Sequence, residues 1–165
     1  MRAGLLRAEI EAAFGDRVAP RERLVIGPEW DRELREIDEG LSSRTWRDVD
    51  PDFVREFDAL PRLTLRAFCY YLPGYMLACV DEPIASGIGW ISAINSLTPP
   101  RASLTAEREA FESRAALFDV RQAATIAAFL DAAPALDVLS ENPQDPLTKA
   151  WNRARVYWRA RASSR

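Results

Sequence analysis

Residues 67–80 read Ala-Phe-Cys-Tyr-Tyr-Leu-Pro-Gly-Tyr-Met-Leu-Ala-Cys-Val, fourteen positions without a charge, bracketed by Arg66 and Asp81. A membrane span needs about 20 apolar residues, so the run is too short to cross a bilayer. A helix that is apolar on every side belongs inside a soluble protein. Pro73 removes one backbone donor at its centre, which predicts a bend there. The segment therefore sets the organisation of the fold, a buried central helix with the rest of the chain packed around it. It names no reaction.

Length and charge set the outer limits. The 165 residues predict a single domain, 1–165, able to bury roughly 70% of its unfolded surface. A net charge of −3 implies neither an acidic tail nor a polyanionic partner. The basic side chains are 21 arginines and the single Lys149, a skew that reads as genome composition and not as guanidinium chemistry. The first eleven residues carry Arg7, Glu9 and Glu11 within their apolar stretch, so no signal peptide is expected and the chain reads as cytoplasmic. Cys69 and Cys79 fit buried free thiols in a reducing compartment.

The chain contains no histidine. Ser-His-Asp triads, Cys-His dyads, HExxH zinc sites and facial iron triads all require imidazole and are thereby excluded. Neither G-x-x-x-x-G-K-[ST] nor G-x-G-x-x-G occurs, which removes the usual phosphate cradles. No metal and no cofactor is expected. Carboxylate chemistry remains, and Asp48 with Asp50 beside Trp46 is the tightest pair next to an aromatic residue. Asp50, directly before Pro51, is better explained as a helix cap.

Periodicity and punctuation predict an all-α bundle of roughly six or seven helices. Residues 2–14 place Ala3, Leu6, Ile10, Ala13 and Phe14 on one face. Pro28 is expected to open a second helix and Gly40 to close it, with Trp30, Leu34, Ile37 and Leu41 as its apolar stripe. Leu24-Val25-Ile26 reads as a short extended piece. Asp50-Pro51 starts a third helix burying Phe53, Phe57 and Leu60, and Thr64 caps the central one. Residues 82–104 admit either a short helix or a packed loop. A helix at about 106–116 follows, then one at 120–132 opened by Asp119 and Gln122. Asp145-Pro146 starts the last, over 146–160.

Three groups of side chains are candidate sites. On the second helix Glu29, Glu33 and Glu36 line up on one strip and Arg32, Glu36 and Glu39 on the next, a solvated face or a docking surface for a basic protein. Trp46, Tyr70, Tyr71 and Tyr75 could line a pocket, although core packing is the simpler reading. At the C-terminus Lys149, Arg153, Arg155, Arg159, Arg161 and Arg165 contribute +6 with no acid after Asp145, against −9 on residues 1–148. Between those charges Leu147, Trp151, Ala154 and Trp158 form an apolar stripe. The last helix is thus expected to pack on the body with its arginines outward, and nucleic-acid binding is the less favoured alternative.

The run from Leu63 to Tyr75 resembles the hallmark of an uncharacterised bacterial family, domain-of-unknown-function family 6714, whose members show L-T-P-E-A-F-R-Y-Y-L-P-A-Y. Ile10 to Phe14, Trp46, Ser96-Leu97-Thr98-Pro99, Leu117-Phe118, Gln122, Ile126, Phe129 and Leu130 agree with it, so the resemblance covers about residues 8–132. Among the positions where the chain departs from the pattern are Leu65, Cys69 and Gly74, and the basic C-terminal helix falls outside it. The resemblance implies no activity and no catalytic residue. Similar Tyr-Leu-Pro helices occur in small immunity-type proteins of bacterial toxin systems, an analogy of motif only. The resulting expectation is a non-enzymatic protein-binding module, an immunity or accessory factor. Its rivals are a carboxylate-dependent enzyme with a cleft near Trp46 and Tyr71, and a nucleic-acid accessory protein using the basic helix. Another protein is the expected partner, without membrane insertion.

Overall fold

The computed structural model describes residues 2–83, 86–136 and 138–164. Among them are eight α-helices and no β-strand, one helix or more above the expected number. The helices are α1 (Arg2–Phe14), α2 (Arg32–Ser42), α3 (Pro51–Glu56), α4 (Leu65–Asp81), α5 (Gly87–Leu97), α6 (Thr105–Ala115), α7 (Val120–Ala132) and α8 (Pro146–Ser163). Short 3₁₀ turns occur at Trp46–Asp48, Leu60–Arg62 and Ala133–Leu136. No helix among the described residues is long and apolar enough to cross a membrane. The chain divides into two compact units, Phe14–Ala93 and Met1–Ala13 with Ile94–Arg165.

In the first unit everything is arranged about α4, whose residues 67–80 are all buried. Thr64 caps it, its side chain accepting from Ala67 N, and the helix runs without interruption through Pro73 and Gly74. Gly74 has a specific purpose. A Cβ there would run into the carbonyl oxygen of Trp46 and lie 2.9 Å from Val49 Cβ, so its absence lets the Trp46–Asp48 turn press against the helix. The extended piece at Leu24-Val25-Ile26 is an isolated antiparallel bridge between Val25 and Leu63, closed by Ile26 N to Arg62 O and Thr64 N to Leu24 O, both 2.7 Å.

Residues 82–104, ambiguous by sequence, contain α5. Glycines disfavour a helix, yet tertiary contacts override that preference here. At Gly89 a Cβ would collide with Val54 and sit 3.2 Å from Cys79 Sγ. Ser86 Oγ and Trp90 Nε1 donate to Ala78 O and Cys79 O at 3.1 Å each, giving partners to carbonyls in the last turn of α4.

The second helix departs from its expected limits. Asp31 is its cap, with its carboxylate accepting from Leu34 N, so Pro28 and Trp30 precede the helix. Gly27 adopts φ 135°, a region that L side chains avoid, and turns the chain just ahead of Pro28. Trp30 is consequently 82% exposed instead of heading the apolar stripe, while Leu34, Ile37 and Leu41 are buried as expected. Gly40 lies within α2 and not at its end, and a Cβ there would meet the Phe53 ring at 2.8 Å.

In the second unit α7 and α8 pack along their lengths. Asp119 and Gln122 form the expected capping box of α7, and the Gln122 amide also donates to Ala13 O at 3.1 Å. Asp145 caps α8 through Thr148 N. Trp151 and Trp158 are buried, and their indole N–H groups donate to Leu130 O at 2.7 Å and Leu97 O at 2.8 Å. Leu147 is only half-buried, whereas Thr148 and Ala150 are buried, because the apolar face begins a little further along the helix than the stripe implied.

Candidate functional site

The acidic edge of the first unit keeps some of its charge available. Glu36 is paired with Arg32 at 2.7 Å, and Glu33 stands 4.0 Å from Arg62. Asp38 accepts from Leu24 N at 2.7 Å and so helps hold the extended piece. Glu29 and Glu39 are exposed and form no ion pair with a described residue. Since Glu29 precedes α2, only Glu33 and Glu36 of the strip lie on the helix. Glu29 instead adjoins the exposed Trp30 in the chain, on a turn closed by Asp31 N to Pro28 O at 3.2 Å.

The aromatic residues singled out as pocket candidates are core. Trp46, Tyr70, Tyr71 and Tyr75 are all at most 5% exposed. Tyr71 Oη donates to Leu41 O at 2.8 Å and approaches Arg44 O at 3.3 Å, while Tyr75 Oη donates to Phe57 O at 3.4 Å. Tyr70 meets Tyr71 edge-on, with ring centroids 4.8 Å apart. Burial drives the Tyr71 phenol up to about 12 and the Tyr75 phenol higher still, so both are neutral donors. The carboxylates near them are engaged locally. Asp48 accepts from Thr45 N at 3.0 Å and Thr45 Oγ1 at 2.6 Å, hydrogen bonds that hold its carboxyl below the usual range. Asp50 caps α3 through Phe53 N and accepts from Arg44 at 3.0 Å. Among the described residues no group of three or more His, Cys, Asp or Glu side chains could hold a metal ion.

The basic C-terminal helix has part of its charge engaged by its own unit. Arg159 makes a two-pronged contact with Asp131, at 2.7 and 3.3 Å. The Arg155 guanidinium sits 4.4 Å from the centre of the Trp151 ring. Arg153 is exposed, and Arg165 lies outside the described residues. Arg161 turns instead toward an open cleft of about 370 Å³ that sequence reasoning did not reach. Glu112 of α6, Phe118, Asp119 and Val120 at the start of α7, and Tyr157, Ala160, Arg161 and Ser164 at the end of α8 line it. Tyr157 Oη donates to Glu112 Oε2 at 2.6 Å and has Arg161 as a second polar neighbour. Burial, and then the hydrogen bond to Glu112, push the Tyr157 phenol up to about 12. Tyr157 and Arg161 stand four residues apart on a helix, a visible spacing, but Glu112 is 45 positions away and no sequence pattern links it to them.

Residues 26–162 match one family model, and they include both the tyrosine-rich helix and nearly all of α8. The chain belongs to the family of unknown function DUF6714. The match begins and ends later than the motif resemblance suggested, so the basic helix is part of the family's shared region and Ile10 to Phe14 are not. At Gly74, where the family pattern carries alanine, this chain has the close approach of the Trp46 backbone. No curated protein and no solved structure matches the chain.

Proposed function

We propose that this member of the family acts by binding another protein, and that the docking surface is the acidic edge headed by Trp30. The observation that supports this reading is Trp30 itself, 82% exposed on a turn that a left-handed glycine directs outward. Tryptophan is the side chain most enriched where binding energy concentrates, since it buries a large apolar area and still offers an N–H donor. Six acids and two arginines lie between residues 29 and 39, so the complementary partner presents a basic segment with an apolar slot for the indole. An immunity or accessory factor works in this way. Placement in a reducing cytoplasm accords with Cys69 and Cys79, free thiols about 15 Å apart along α4 that cannot pair.

A partner recovered from cells that produce the protein provides the test. Trp30→Ala should raise its dissociation rate by at least about tenfold, and Glu29→Arg with Glu39→Arg should slow association, most visibly at low salt. Both variants alter exposed side chains outside the core and should melt like the parent. Undiminished binding by both would overturn the reading.

A further inference from the structure

We propose that the cleft formed by α6, α7 and α8 binds a free α-amino acid with an apolar side chain. Three charged side chains line it: Glu112, Asp119 and Arg161. Glu112 Oε2 accepts from the Tyr157 hydroxyl at 2.6 Å and Glu112 Oε1 stands 3.9 Å from the half-exposed Arg108, while Arg161 approaches the same hydroxyl without an ion pair to Glu112. Asp119 adds a second carboxylate to the lining, and one of its oxygens already accepts from Gln122 N at 2.8 Å. The cleft therefore presents two acids, one of them weakly paired with Arg108, and the Arg161 guanidinium around one phenol.

Such a dipolar site discriminates by sign. A simple carboxylate would gain Arg161 but face two acids, and a simple amine would gain the acids but face Arg161. A zwitterion satisfies both, its ammonium toward Glu112 and Asp119 and its carboxylate toward Arg161. The Arg161 Nε is buried without a hydrogen-bond partner, so an anion in the cleft would be met by the terminal nitrogens of a guanidinium that also contacts Tyr157. Phe118, Val120 and Ala160 supply the apolar wall, with Val120 52% exposed and available to a ligand side chain. Tyr157, neutral with its phenol at about 12, orients Glu112 without adding charge of its own. A volume of about 370 Å³ is at the lower end of small-molecule sites and suits one amino acid.

Calorimetric titration of the full chain with L-leucine, L-valine and L-phenylalanine tests this, each compared with the amine lacking its carboxylate and the N-acetylated form lacking its ammonium. At least one amino acid should bind at least about tenfold more tightly than both of its analogues, and Arg161→Gln and Glu112→Gln should each weaken that binding by a similar factor. Failure of all three to bind at millimolar concentration would overturn the proposal. So would an analogue that binds equally well, or variants that bind like the parent. The analogue series uses the unaltered protein, so it decides the matter even if a variant does not fold. Trp30 and its acids belong to the other unit, so neither outcome bears on the docking surface.

Discussion

The tyrosines of α4 and the tyrosine of α8 show how a single functional group is used in opposite ways. Tyr71 and Tyr75 direct their hydroxyls to backbone carbonyls, at Leu41 and Phe57, which cannot titrate, move far or be exchanged for solvent. Tyr157 directs its hydroxyl to the carboxylate of Glu112, beside Arg161 and at the wall of an open cleft. In the first case the hydroxyl allows a large ring into the core without an orphaned donor. In the second it holds a charged side chain in place where a ligand could reach it. A hydroxyl spent on a backbone carbonyl thus serves packing, and a hydroxyl spent on a carboxylate beside an open cleft marks a candidate site.

The largest expected effect tests α4 as core. Leu72 is fully buried, so Leu72→Ala should destabilise the protein by about 2–5 kcal/mol, read as a lowered urea midpoint. An unchanged midpoint would remove the basis of the comparison.

A paired substitution sharpens it directly. Tyr71→Phe removes the donor to a buried carbonyl and should cost about 1–3 kcal/mol, while Tyr157→Phe leaves a half-exposed carboxylate that water can reach and should cost less than about 1 kcal/mol. Equal losses would show that the two hydroxyls play the same structural part.

A further test lies at alkaline pH. Tyr71 and Tyr157 have folded-state phenols raised to about 12, against about 10 in the unfolded chain. The sign follows from linkage: their contribution is complete below about pH 10 and is lost as pH rises toward 12, because the unfolded state releases its protons first. Urea midpoints should therefore fall between about pH 10 and pH 12, and less steeply in Tyr71→Phe than in the parent. A parallel decline in both would place the alkaline sensitivity elsewhere.

The helix starts were legible where a side chain reaches its own backbone. Asp50, Thr64, Asp119 and Asp145 were each identifiable and each accepts from the backbone N–H three residues on. At α2 the same rule applies but to a different residue: Asp31 and not Pro28 sets the start, since a carboxylate that accepts from Leu34 N outweighs a proline that is merely permitted in a first turn. That difference of a few residues moved Trp30 from an expected core position to the surface and changed which acids are free. The candidate acids were legible as a patch, but their pairing with Arg32 and Arg62 was not.

By itself, then, the sequence determined the all-α class, the capped helix starts and the burial of residues 67–80, since each is written within a few neighbouring residues as an uncharged run or a cap-to-backbone hydrogen bond. Only tertiary structure decided the rest. It made a helix of the glycine-bearing residues 87–97 by setting Gly89 against Val54, gave Gly74 its purpose through the Trp46 carbonyl, and brought Glu112 to Tyr157 across 45 residues. Contacts of that separation carry no local signature, because they are selected by the packing of whole helices and not by the spacing of residues along one of them.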